Sequence, residues 1–496
     1  MRDHRKPAVR RAVIAGAKNR LLGAAVAALF IAGAVKFGFP PASGPRPESE
    51  PVVPVQTTVA TGRIGVSKNS GAMENDFKRQ AEQDLMRRLF EEKFPDATLQ
   101  FDTWQFSPDT FFAKYNAHTL PYVIGLFATE ATLILDKRLS ADITEELRAW
   151  KLYKHLNPKL LEPISRNGRV LGLPVGGAGA GFYVMTLFCN VPLFKAAGLV
   201  DARGRVIPPQ TWDDFTTYAI RLTDHSRGVC GFGMLGENGG NAWHFLNWAW
   251  QAGGDFERRG GDGQWISVFH EPPVIHALEY LRDLRWKHDV LQKNILANND
   301  DIIQMFASGR AAMMFQAPET MQSLIDKYHF PAGDVEIALL PAGPAGRANQ
   351  IGGAFVIVNR DLEGQRKQRA FDAIVYEHEP DVIEPRLRLL KEQGRRVGLP
   401  CVPIFLPEYQ EKIDAIVNKY RTVPDQSKLM AQAAEAVRVE PPYRCQTLYS
   451  QYLGPAIQEV LINRNADPAK VLQVESRRFQ LRELDPINRE LSGQAK

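Results

Sequence analysis

The apolar positions of this chain change period many times, and each change marks an element. Over 75–94, Phe77, Ala81, Leu85, Leu89 and Phe90 recur at helical spacing, and Pro95 ends the run. Residues 97–101 and 122–127 are short apolar runs between turn residues, which predicts strands. Residues 168–175 read as a turn and then a short strand, and 183–187 as another strand. A short helix over 191–199 is stopped by Gly198. Thr211 with Asp214 three residues on resembles a capping box, and Phe215, Ala219 and Leu222 give the helix behind it one apolar face. A strand is predicted over 229–234, an aromatic-rich helix over 241–251 closed by Gly253 and Gly254, and a helix over 272–288 with Leu278, Leu281 and Leu284 inward. Then come a short helix over 300–307 and strands over 311–315, 335–340 and 353–358. From Arg366 onward helices dominate, with proline-rich breaks at 398–407 and 439–443.

Strands that alternate with helices predict α/β layers with mainly parallel sheets. A chain of 496 residues exceeds what one core organises, so two lobes are expected. The composition, 44% hydrophobic and 24% charged, is that of a globular protein.

Charge changes the picture at one end. Residues 1–20 hold seven cations and one acid, a net of +6; the whole chain is +5, which leaves the remainder at −1. The basic excess therefore sits in one tail and does not indicate nucleic-acid binding. The tail meets the uncharged run 21–35, and a span reaching Phe39 reads as a signal sequence or N-terminal membrane anchor, with 1–20 as its cytoplasmic n-region. The stretch 40–56 is rich in proline and reads as an extended linker. Either fate of the leader puts the folded part outside the cytoplasm, on the periplasmic or extracellular side. Cys189, Cys230, Cys401 and Cys445 are too few for a disulfide scaffold; they permit one or two bridges, and spacing does not choose the pairing.

No spacing points to catalysis, a metal or a cofactor. The glycine-rich 176–181 lacks the full dinucleotide-loop pattern and runs into a strand-like segment, so it reads as a chain crossing. His270-Glu271 is followed by two prolines and does not build a helical zinc site. No Gly-x-Ser-x-Gly elbow is present. Asp213-Asp214 and Asp300-Asp301 stand at helix starts, where carboxylates satisfy free amides.

The segments 90–101, 168–188, 191–223, 248–256, 306–315 and 338–359, in that order, resemble the carbohydrate-type extracellular solute-binding family that includes maltose-binding protein, and the resemblance spans about 57–480. It implies a two-lobed periplasmic-binding-protein fold joined by hinge crossings. Lobe 1 is expected over 57–184 with about 350–395, lobe 2 over 185–349 with about 396–480, and a tail over 481–496. It also implies a monomer that closes on a small polar ligand, a sugar or oligosaccharide, and delivers it to an ABC permease. By the same comparison Trp104, Trp243, Glu319, Gly352 and Gly353 are ligand-side residues, whereas Trp248 and Trp250 read as core. The chain departs from the family's pattern in three places. The first strand is hard to locate between Val55 and Asn75, Pro121-Tyr122-Val123 replaces a Pro-Asp-hydrophobic step, and no cysteine follows the leader for lipid attachment. A ligand-sensing receptor and an extracytoplasmic carbohydrate-active enzyme are the rival readings.

Overall fold

The computed structural model describes residues 63–69, 77–104, 106–127, 134–135, 137–175, 183–352 and 354–494. The basic leader, the apolar run and the linker lie outside the described residues. Among the described residues no helix is long and apolar enough to cross a membrane.

The strands that matter here are, in chain order, β1 (Ile64–Asn69), β2 (Ala97–Asp102), β3 (Val123–Phe127), β4 (Leu173–Pro174), β5 (Tyr183–Val184) and β6 (Thr186–Asn190). They continue with β7 (Cys230–Gly233), β8 (Ala311–Gln316), β9 (Val335–Ala338), β10 (Asn349–Gly352), β11 (Ala354–Val358) and β12 (Val437–Arg438). The strand missing from the sequence reading is β1, a polar-ended segment that pairs in parallel with β2 along its whole length.

The first sheet runs β2-β1-β3-β11-β4, with β11 antiparallel to both its neighbours. The helix α1 (Phe77–Lys93) lays Met86 and Phe90 against it. The second sheet runs β9-β6-β8-β7; β6 is antiparallel to β9 and β8, while β8 and β7 are parallel. Every residue of β8 is buried, as expected of a strand covered on both faces. On one face Leu187 and Phe315 pack with Phe215 and Trp248; on the other Phe188 and Met314 pack with Ile302, Phe306 and Leu324.

Local chemistry explains the covering helices. Thr211 accepts from Asp214 N–H and Asp214 accepts from Thr211 N–H, the capping box that starts α2 (Trp212–Leu222). Such a cap contributes about 1 kcal/mol. Helix α3 (Gly240–Gln251) is buried almost all round, with Trp248 1% and Trp250 4% exposed. Trp248 stacks on Phe315 at 4.7 Å, so both tryptophans are core, as read from the sequence.

The chain passes between the two sheets at three adjacent places. Val184 packs in the first core and Met185 in the second; Ala348 packs in the second and Ile351 in the first; Ala433 packs in the first and Tyr443 in the second. At these passes β5, β10 and β12 form a small sheet of their own in the order β12-β10-β5. The third pass, expected near 396, falls instead between Ala433 and Tyr443. The segment after about 396, expected in the second lobe, instead places Val397, Val402, Phe405, Ile413, Met430 and Ala433 in the first core. The reason is packing of helix Pro407–Tyr420 against helix Pro380–Glu392, which is already bound to α1. All four cysteines are free thiols.

Candidate functional site

Trp243 sits in the first turn of α3, and the structure brings it to the crossings. Its indole N–H donates to Glu440 Oε1 at 2.5 Å. Its ring atom Cζ2 lies 3.5 Å from where a Cβ on Gly352 would stand. That is ordinary van der Waals distance, so the ring rests against the second crossing. Gln350, two residues earlier on β10, completes the junction. Its N–H donates to Asn247 Oδ1 at 2.8 Å, its Nε2 donates to Glu440 Oε1 at 2.9 Å, and its carbonyl accepts Met185 N–H at 3.0 Å. Asn349 N–H donates to Ala436 O, and its side chain donates to Ala433 O. Residues from all three crossings and from α3 are therefore tied in one network. Glu440 is 6% exposed, and a buried carboxylate needs donors of this kind.

Glu319 follows β8 by three residues. Gln316, the last residue of β8, pairs with Thr186 next to the first crossing and accepts its hydroxyl at 2.9 Å. Burial pushes the Glu319 carboxyl up to about 7, and among the described residues its buried Oε2 has no hydrogen-bond partner. A carboxyl in that state exchanges a proton near neutrality and has an oxygen available to a ligand. Trp104 packs on the rim of the first core; its indole N–H donates to Thr110 Oγ1 at 3.0 Å and the Lys114 ammonium stands 5.4 Å over its ring. No hydrogen bond or ring contact among the described residues joins Trp104 or Glu319 to the Trp243 cluster. Gly353 and the glycine-rich 176–181 lie outside the described residues.

Sequence reasoning missed Glu440, Gln350 and Asn247. Glu440 falls in a proline-rich break, where an acid reads as a solvated loop charge; only the non-local pairing of β12 with β10 buries it. His244, next to Trp243, is held neutral because burial lowers it to about 4.

Among the described residues no group of three or more His, Cys, Asp or Glu is placed to hold a metal. Burial pushes the Cys230 thiol up to about 12 and the Cys401 thiol up to about 11, so both stay protonated and weakly nucleophilic at neutral pH.

Two sheets joined by three adjacent crossings, with an aromatic and buried polar groups at the junction, define a two-lobed solute-binding fold. Solved structures of this kind match the chain. The GacH receptor of Streptomyces glaucescens, solved unliganded and with acarbose, is 16% identical, with a TM-score of 0.64 over 84% of this chain and 97% of its own. UgpB of Mycobacterium tuberculosis with glycerophosphocholine is 19% identical, with a TM-score of 0.64 over 84% and 98%. Maltose-bound MalE3 of T. maritima is 20% identical, with a TM-score of 0.61 over 84% and 99%. No curated protein matches the chain. The sequence pattern of the bacterial extracellular solute-binding proteins matches residues 109–361, just over half of the chain, and the protein belongs to that family.

Proposed function

We propose that the protein captures a sugar or oligosaccharide between its lobes, outside the cytoplasm, and delivers it to the permease subunits of an ABC importer. In this reading it acts as a monomer held at the membrane by its N-terminal segment. The observation that carries the proposal is the Trp243 junction, which fixes an aromatic ring from the second lobe against the crossing at Gly352. An indole face buries the apolar face of a sugar ring, while nearby polar groups take its hydroxyls. Glu319, with one unpaired oxygen, supplies such a group. The crossing strands β5, β10 and β12 are two to four residues long, so a few backbone torsions suffice to rotate one lobe on the other. The saccharides bound by GacH and MalE3 favour a carbohydrate over other polar solutes. We assign no catalytic residue; the solute leaves unchanged.

A thermal-shift screen of the full chain in detergent tests this, using mono- and oligosaccharides, polyols, amino acids and polyamines. A ligand at about 100 times its Kd stabilises the fold by about 2.7 kcal/mol. The expected result is one class of saccharide hits, unchanged in mass after incubation. Hits only among amino acids or polyamines would overturn the carbohydrate reading, and consumption of the sugar would make the protein an enzyme.

A further inference from the structure

A second concavity, of about 920 Å3, opens at the far end of the first sheet. Strand β11 runs antiparallel to β3, with Ala354 opposite Phe127 and Val358 opposite Val123. Arg360, two residues beyond Val358, therefore stands at the end of the sheet away from Gly352 and the crossings. Cations reach this concavity from separate parts of the chain. Arg138 precedes Ser140, which bridges to Asn359. Arg166 and Arg169 lie on the hairpin Ser165–Arg166 and Arg169–Val170. Lys367 lies on helix Gly364–Val375.

The lining holds these five cations against Asp142, Glu146 and Glu363. Glu146 is paired with Lys367 at 2.6 Å, and Asp142 lies 3.5 Å from Arg169. Arg360 donates one guanidinium N–H to Arg138 O at 3.0 Å. Among the described residues neither Arg138 nor Arg360 has a carboxylate within salt-bridge distance. Ser140 lines the same concavity, is 6% exposed, and among the described residues its hydroxyl has no hydrogen-bond partner. A buried hydroxyl left unpaired is unfavourable unless something comes to meet it.

We propose that this concavity is a second binding site, for the phosphate group of a phosphate ester, with Arg138 and Arg360 on the anion and Ser140 donating to it. Guanidinium groups match phosphate oxygens in paired hydrogen bonds. Donors arriving from several segments suit a tetrahedral oxyanion better than a flat carboxylate with two oxygens. The same chemistry is offered by a free phosphate ester and by the headgroup of an anionic phospholipid. The site is separate from the Trp243 junction, so its failure would leave the solute reading standing.

Titration calorimetry of the full chain tests the proposal with two soluble probes, glycerol 3-phosphate and dihexanoyl phosphatidylglycerol. At least one is expected to bind saturably, more weakly as salt rises, and the tighter of the two identifies the source. The double variant Arg138→Asn and Arg360→Gln is expected to weaken it at least tenfold; both side chains are exposed, and asparagine accepts the φ of 53° at position 138. Ser140→Ala, which changes no charge, is expected to weaken it several-fold. Failure of both probes to bind, or binding that survives the double variant, would overturn the proposal. So would binding abolished by Trp243→Ala, which would place the ligand at the crossings instead.

Discussion

Replacing Glu319 with glutamine is expected to stabilise the protein at alkaline pH and to change it little near pH 4. In the fold, burial lifts this carboxyl from 4.5 to about 7, with one oxygen unpaired. Below the unfolded value both states are protonated, and the stabilising contribution of the neutral buried group is fully present. Between the two values the unfolded chain ionises while the folded one does not, so stability falls by about 1.4 kcal/mol per pH unit. Above about pH 7 the loss is complete, at about 3 kcal/mol. Glutamine is similar in size and does not ionise, so the stability gap between variant and parent should open from near zero at about pH 4 to about 3 kcal/mol at about pH 8. Urea unfolding of the full chain across this range, with the m-value unchanged, measures it. A gap of the same size at every pH would refute burial as the source of the effect.

Substitutions at three further positions probe the scaffold. Trp243→Ala is expected to cost about 3 kcal/mol, through lost packing and a buried carboxylate deprived of a donor, whereas Trp243→Phe should cost only about 1–2 kcal/mol; denaturant melts separate the two. Arg386→Met should lose about 3–5 kcal/mol at neutral pH, because Arg386 is paired with Glu82 at 2.7 Å and stands 3.8 Å from Glu377. Although burial opposes it, the charges of Arg386 and its neighbours hold both carboxyls below their usual value. Their paired contribution is thus present above about pH 4.5 and disappears as pH falls through the lowered folded values, so the gap to the parent should shrink in acid melts. Gly231→Ala should cost about 3 kcal/mol in the same assay, since a Cβ there would stand 2.0 Å from Ala219 O on helix α2.

Where one local signal sufficed, the sequence was informative. Thr211, Asp214 and the apolar stripe behind them define α2 without reference to anything distant, and the capping box forms as read. Trp248 and Trp250, on an aromatic-rich helix closed by two glycines, read as core and are buried. The parts that escaped depend on pairing across the chain. Strand β1 has little hydrophobic alternation and is fixed by its register with β2. Strand β12 is two residues long, too short for any period, and its place beside β10 decides where the chain changes lobes for the third time. Glu440 follows from that pairing, and with it the anchoring of Trp243. Of the expected ligand-side residues, Trp243 and Gly352 come together at the junction, while Trp104 spends its indole donor on Thr110.

The central claim is that solute is captured by closure of two lobes about the junction at Trp243. Small-angle scattering from the full chain, with and without a saturating saccharide from the screen, addresses it most directly. The account predicts a smaller radius of gyration with solute, reached only at higher solute concentration in Trp243→Ala. Saturating solute with unchanged scattering, or closure indifferent to Trp243, would contradict it.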